Sequence, residues 1–270
     1  MDEAQLSHHS QKLRSQIDKI YAKLTETFEN TTSPSTEIDR SLKAMRFITL
    51  LSEGDIAVKS ANLFYIIRRT PVSIAYSEKW EASRLALRGA YKWDNVLPVE
   101  DPQAILAFLS HHFALVEKGE DHDEPIQNAL HALAHDSTPK TAEALKSVDP
   151  TQSSFARGIC FALQDVQPFK LRKTALFFLP LIADKWFNAP DPLMTPDEMK
   201  RFCADWASAV NEAGRSASAV QKVALAVLLD MVNSPHWRPH VVPEKRKLLE
   251  CFSVVPDDSQ ALRRCLGGTG

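Results

Sequence analysis

Apolar residues recur along most of the chain at the three- and four-residue spacing of an amphipathic α-helix, and no long stretch alternates apolar with polar residues as a half-buried strand does. The first predicted helix, Glu3–Glu29, carries a stripe through Ile17, Ile20, Leu24 and Phe28. Eight glycines against sixteen prolines favour helices joined by abrupt turns. Further helices are predicted over 35–52, 55–69, a segment ending near 93, a segment opening at 102, 124–135, 139–148, 153–163, 168–186, 196–211, 216–232 and 243–252.

A local pattern repeats in the second half of the chain. A polar turn leads to an aliphatic residue, then Arg or Gln, then an Ala/Leu-rich helical run. The aliphatic residues of the three copies are 45 and 49 positions apart, a period that suits two helices with their connections. The pattern therefore predicts an all-α fold of stacked antiparallel helical hairpins, a short α-solenoid. The copies are Ile126 with Gln127, Leu171 with Arg172, and Val220 with Gln221.

Tryptophan and proline follow the same period. Trp186 and Trp237 are 51 residues apart, and each follows a predicted helix and precedes a loop that contains proline. Trp93 lies 93 residues before Trp186, close to two periods. Pro180 falls inside the predicted helix 168–186, where its ring clashes with the preceding turn, so we expect a kink there. That helix is apolar nearly all round, which predicts burial between neighbours.

Polar linkers divide the chain into three predicted parts. Residues 1–34 are an N-terminal amphipathic helix and a short linker, residues 35–255 are the helical repeat domain, and residues 256–270 are a C-terminal tail. We expect the glycine-rich end of the tail to be disordered. We also expect the short last helix to leave apolar surface available to a partner or to a second copy of the chain.

The segment from Asp165 to Ala175 resembles a HEAT repeat. Such repeats place Asp in the turn, then an aliphatic residue with Arg, and Ala early in the second helix, as Asp165, Leu171, Arg172 and Ala175 do here. The Arg charge pairs with the turn Asp in that family. The resemblance covers about residues 100–255 and implies a HEAT/armadillo-like helical repeat protein. The Trp-rich, Pro-punctuated arrangement is also similar to that of uncharacterised helical proteins of basidiomycete fungi, which implies no function.

Composition and charge narrow the function classes. The chain has 32 basic and 34 acidic residues, a formal charge of −2, which disfavours nucleic acid and anionic membranes as partners. The most apolar run, 174–183, is too short to span a bilayer. The first eighteen residues lack the apolar region of a secretory signal. We therefore expect a soluble cytoplasmic protein, without distinguishing cytoplasm from nucleus.

Motifs for catalysis or cofactor binding are missing from the sequence. It contains no phosphate-binding GxxxxGK[ST] or GxGxxG loop, no GxSxG elbow, no HExxH and no CxxC pair. We therefore predict no cofactor and no metal site, and expect the four cysteines to be small core residues. The run of charged residues around His122 is more typical of a solvated turn than of a weak cation site. A catalytic carboxylate pair stays possible, because such a pair is defined only in space.

The string from 236 to 240 is the most unusual local sequence and the candidate protein-contact segment. It combines His236, Trp237, Arg238 and His240 with two stiffening prolines, one inside the string and one directly before it. Trp and Arg are enriched where protein interfaces bind most strongly. In the alternative interpretation Trp237 packs on the preceding helix and only the polar residues face water.

The leading functional prediction is a non-catalytic scaffold that binds a protein partner through the surface of a helical array. The alternative is an all-helical enzyme or carrier with an apolar pocket for a small molecule. Nucleic-acid binding would require folding to gather dispersed basic residues on one side, and self-association through the last helix is a further possibility. The aromatic residues that could line a pocket, or belong to the core, are Phe161, Phe169, Phe177, Phe178 and Phe187.

Overall fold

Helical periodicity is realised throughout the part of the chain that the structure describes. This computed structural model describes residues 3–30, 33–49, 55–70, 76–91, 97–116, 122–190, 194–214, 218–244 and 248. All regular elements in these ranges are helices, and none of those helices is both long and apolar enough to cross a membrane. The helices are α1 (Glu3–Glu29), α2 (Ser35–Ile48), α3 (Asp55–Arg69), α4 (Tyr76–Tyr91), α5 (Pro102–Val116), α6 (Asp123–His135), α7 (Pro139–Ser147), α8 (Ser153–Leu163), α9 (Phe169–Phe178), α10 (Ala183–Phe187), α11 (Pro196–Gly214), α12 (Ser218–Asn233) and α13 (Arg238–Val241).

The chain forms two compact units, Met1–Ala104 and Ile105–Gly270. In the first unit α1 packs on α2 and on α3, and α4 packs on α2 and α3. Leu24 and Phe28 of α1 are buried in its core. The Tyr21 hydroxyl and Ser60 Oγ hydrogen-bond at 2.6 Å, which links α1 to α3 beside this core. The predicted stripe of α2 is also buried, and consists of Ile38, Leu42, Met45 and Thr49.

The second unit contains two helix pairs that pack on each other. Helix α8 packs on α9, and α11 packs on α12. Between the pairs, α8 contacts α11 and α9 contacts α12. Helix α6 also packs on α9. Arg172 of α9 is buried and donates to Asp165 Oδ1 at 2.8 Å and to the Glu212 carboxylate of α11. The turn Asp and the Arg of this copy therefore do form an ion pair.

An aromatic cluster fills the core beside α11. The two tryptophans 51 residues apart meet there, with the rings of Trp186 and Trp237 edge to face at 6.0 Å between centroids. Phe187 and Phe202 contact Trp237 at 4.9 and 5.4 Å. All four side chains are buried, and an edge-to-face pair adds roughly 0.5–1.5 kcal/mol beyond burial itself. The tryptophan period thus reflects a core position.

Pro180 interrupts the predicted helix 168–186, as expected. Helix α9 ends at Phe178, a 3₁₀ turn covers Leu179–Leu181, and α10 begins at Ala183. The expectation that this segment is buried on all sides is wrong in part, because Leu181 is 43% exposed. Leu181 is the last residue of the 3₁₀ turn, where side chains are spaced differently around the axis than in an α-helix, and it faces water.

Other helix boundaries agree with the sequence prediction in some places and differ in others. Asp101 Oδ1 accepts a hydrogen bond from the Ala104 amide at 3.3 Å, so Asp101 caps α5 with Pro102 as its first residue. The segment 236–240, predicted as a loop, contains the start of α13 instead. The predicted helix 243–252 shows a 3₁₀ turn, Val242–Glu244, at its start. Its continuation apart from residue 248, the tail 256–270, and the residues Trp93, Cys251 and Cys265 lie outside the described residues.

Candidate functional site

The predicted contact segment 236–240 is divided between core and surface. Trp237 is 0% exposed, and its indole Nε1 has no hydrogen-bond partner within the described chain. The Arg238 amide donates to the Ser234 carbonyl at 3.0 Å and closes the turn that places Trp237 against α11. Trp237 is therefore a core residue, as in the alternative interpretation, although the aromatic rings that it contacts lie on α10 and α11 rather than on the preceding helix. His236 and Arg238 are exposed and His240 is half-buried, and their role as contacts stays a prediction.

A groove between α1 and α2 is a concave apolar surface of the first unit. Its floor and walls are mostly apolar, and its volume is about 380 Å³. Ile20 is 36% exposed in this groove, whereas Leu24, one turn further along α1, is 2% exposed. We call this surface the basic groove. Its residues are Lys19, Ile20, Lys23, Leu24 and Thr27 of α1 with Glu37, Arg40, Ser41 and Ala44 of α2.

The rim of the basic groove carries an excess of positive charge. Lys23 Nζ lies 2.9 Å from Glu37 and 3.1 Å from Glu26, and these two hydrogen bonds raise the pKa of Lys23. Lys19 and Arg40 are exposed and form no ion pair with the described residues. Three cations therefore stand against the two carboxylates of Glu26 and Glu37 at this rim, an excess of one positive charge. Water screens these charges in the free protein, but they sum to a local positive field.

Sequence reasoning placed Ile20 in the core stripe of α1 and did not find this groove. Ile20 and Leu24 are four residues apart and therefore lie on the same face of α1. Periodicity alone does not show how much of that face the neighbouring helix covers. The alternation of Lys19 and Lys23 with Ile20 and Leu24 was the available signal, because it places charge beside apolar surface.

A smaller pocket, the α8–α11 pocket, lies in the second unit. It has a volume of about 170 Å³. Residues at three- and four-residue spacing on each helix face it, so it lies along the crossing of α8 and α11. Its residues are Ala156, Arg157, Cys160, Gln164, Met194, Glu198, Arg201, Phe202 and Asp205.

Cys160 is the one cysteine of this pocket and is not a nucleophile at neutral pH. Burial, together with the carboxylates of Glu198 and Asp205 that repel the thiolate, raises the pKa of its thiol to about 12. Only the thiolate is strongly nucleophilic. Burial also raises the pKa of Cys203, which lies in the core of α11. Both cysteines are free thiols. Cys203 is buried, as expected of a small core residue, whereas Cys160 is half-buried at the wall of the pocket.

Glu198, a second titratable group of the pocket, accepts hydrogen bonds at the start of α11. The Thr195 amide donates to Glu198 Oε2 at 2.8 Å, and the Glu198 amide donates to Thr195 Oγ1 at 3.3 Å, which forms a capping box. The bonds that the Thr195 amide and hydroxyl donate to the Glu198 carboxylate lower its pKa, and the nearby Arg157 and Arg201 lower it further. An ionised Glu198 cannot act as a general acid near neutral pH. The arrangement suits binding better than proton transfer.

Two histidines come together at the start of α6. The Nδ1 atoms of His112 and His122 are 3.0 Å apart, with His112 buried and His122 half-buried. His122 is therefore not the solvated turn residue that the sequence indicates, because its ring contacts His112 of α5. One of the two nitrogens must carry the proton of this hydrogen bond.

No group of three or more potential ligands that could hold a metal ion occurs within the described ranges.

The five aromatic residues predicted to line a pocket or belong to the core differ in exposure. Phe178 and Phe187 are core residues, Phe161 and Phe177 are half-buried, and Phe169 is exposed, so these five rings do not line one pocket.

Comparison with protein-family models, with curated proteins and with solved structures gives no match for this chain.

Proposed function

We propose that this protein is a non-catalytic scaffold that binds another protein through its helical surface, with the basic groove as the contact site. The observation that supports this is an open, apolar-walled groove between two packed helices with cations along its rim. Grooves of this kind accept an amphipathic helix in one of the recurring modes of peptide recognition. Cationic rims add specificity and speed association.

We further propose that the helices of the second unit form a HEAT-like stack of hairpins. The contacts between successive pairs support this, because α8 packs on α11 and α9 packs on α12. The ion pair between Asp165 and Arg172 also supports it. Stacked hairpins create extended surfaces, which is why such arrays commonly serve binding rather than catalysis.

Affinity capture from a native cell extract tests the scaffold function. The bait is the full chain, and we expect saturable retention of a protein partner. The groove variant is Lys19→Glu with Arg40→Glu, and we expect it to lose that partner. A matched control, Lys140→Glu with Lys200→Glu, changes the net charge equally at exposed positions of α7 and α11 and keeps the partner. Absence of any saturable partner on the unaltered protein would refute the scaffold function.

A second candidate function is binding of a small molecule in the α8–α11 pocket. Its support is a recess that offers the side chains of Arg157, Arg201 and Asp205 around the apolar surface of Phe202. We expect fragments that enter it to raise the melting temperature of the unaltered protein. Cys160→Phe fills the recess and should abolish that shift. A shift that survives in Cys160→Phe assigns the fragment to another site.

A further inference from the structure

The length of the basic groove matches a short stretch of helix. Its α1 side runs from Lys19 to Thr27, which is about 12 Å at the helical rise of about 1.5 Å per residue. That length corresponds to slightly more than two turns, enough for three apolar side chains on one face of a partner helix. The α2 side offers the small residues Ser41 and Ala44, which allow a partner to approach closely.

Apolar surface continues beyond the groove along α2. Phe47 follows Arg40 by seven positions and Ala44 by three, so the three residues lie on the same face of the helix. Phe47 is 63% exposed, the largest aromatic exposure in the described chain. A large exposed aromatic beside a groove is the type of residue that contributes most to helix-in-groove binding.

The charges at the groove favour one kind of partner. Lys19 and Arg40 flank the apolar floor from opposite helices, and neither forms an ion pair with the described residues. Lys23 shares its charge between Glu26 and Glu37. Two unneutralised cations on opposite sides of an apolar floor are complementary to a helix that carries carboxylates on both flanks of an apolar stripe.

We infer that the basic groove receives an amphipathic helix of a partner protein whose apolar residues, at three- and four-residue spacing, are flanked by Asp or Glu. This inference rests on the proposed scaffold function and names the partner's chemistry. Because the site is a recess between two helices, it fits a rod of helical width better than the flat surface of an anionic membrane.

Selection from a displayed peptide library tests this chemistry directly. The peptides are about 16 residues long, with leucines fixed on one helical face and the flanking positions randomised. On the unaltered full chain we expect enrichment of Asp and Glu at the flanks. On Lys19→Glu with Arg40→Glu we expect the preference to invert to Lys and Arg. Lys140→Glu with Lys200→Glu serves as the matched control and should select the same acidic peptides as the unaltered chain.

Binding of one selected peptide gives the quantitative readout. Its affinity should fall about tenfold in the groove variant, and should fall in the unaltered protein as salt rises from about 0.05 to 0.5 M. Enrichment of basic flanks, no enrichment, or the same peptides on both proteins would overturn the inference. So would binding to phosphatidylserine vesicles, or self-association, that is lost in the groove variant while acidic peptides fail to bind. A partner captured equally by both double variants leaves the scaffold function standing and rejects this groove.

Discussion

Gly158 of α8 lies directly against the ring of Phe113. A Cβ atom added to Gly158 would be 2.1 Å from the Cγ and Cδ1 atoms of that ring. Favourable contacts between carbon atoms lie at about 3.5–4.0 Å, so the position has no room for a methyl group. Phe113 is fully buried and also packs edge to face on Phe155 at 5.2 Å, so it cannot move aside.

We therefore expect Gly158→Ala to lower the free energy of unfolding by about 1–3 kcal/mol, the usual cost of an overpacked core. Helix propensity alone predicts the opposite, since Ala is more favourable than Gly by roughly 1 kcal/mol. Urea denaturation measures the difference. Adding Phe113→Leu to Gly158→Ala should cost less than the two single changes combined, because the smaller side chain leaves space for the methyl group. A stabilised Gly158→Ala protein would show that α8 is not held against Phe113.

The thiol of Cys160 gives the second unit a pH dependence in alkaline solution. Folding raises its pKa from an ordinary value of 9.0 to about 12, chiefly through burial. The unfolded chain therefore loses this proton before the folded protein does. The stability that comes from the neutral buried thiol is complete below pH 9.0 and is lost as the pH rises towards about 12.

Replacing the thiol should remove this part of the alkaline sensitivity. We expect the unfolding free energy of Cys160→Ala to fall less steeply than that of the unaltered protein between pH 9.0 and about 12, while Cys203 retains its own contribution in both. Chemical denaturation across that pH range checks the slope. Parallel slopes for the two proteins would contradict the buried, neutral thiol.

At the scale of elements, the break between α9 and α10 has two physical causes. Pro180 lacks the amide proton that an α-helix needs and disfavours a continuous helix. The aromatic cluster also fixes the path, because Trp186 of α10 must reach Phe202 and Trp237. Packing of the cluster is the stronger of the two causes, since truncating a large buried aromatic costs about 3–5 kcal/mol.

We expect Pro180→Ala to lower the unfolding free energy by less than about 1 kcal/mol, through added freedom of the unfolded chain, and to leave the helix path unchanged. Trp186→Ala should cost about 3–5 kcal/mol. Thermal or urea denaturation compares the two, and near-ultraviolet circular dichroism of Pro180→Ala reports whether the tryptophan packing persists. A cost for Pro180→Ala as large as that for Trp186→Ala would make proline the determinant of the path.

The elements were predictable because helical periodicity and helix-ending residues are local. The ranges of α1, α3 and α8 agree with the sequence prediction, and Asp101 with Pro102 marked the start of α5. The orientation of Trp237 was not predictable, because the same Trp-Arg-Pro string suits an exposed anchor or a core residue. Only the packing of α13 on α11 decides this. The basic groove also escaped prediction, since it depends on how closely α2 covers α1.

At the scale of the whole molecule, each compact unit carries its own candidate surface. The first unit holds the basic groove, and the second holds the α8–α11 pocket. The first surface is open and apolar with an excess of cations, and the second is smaller and holds two guanidinium groups beside two carboxylates. The two surfaces therefore favour different ligands, and the footprint of a bound partner distinguishes them.

Hydrogen–deuterium exchange of the full chain, alone and saturated with the captured partner, tests the central claim most directly. Amides of a bound segment exchange more slowly because local opening becomes rarer. We predict slower exchange across 19–27 and 37–44, with no change across 236–240. Unchanged exchange in both groove segments, with protection at 236–240 or around the α8–α11 pocket, would contradict the assignment of the partner to the basic groove.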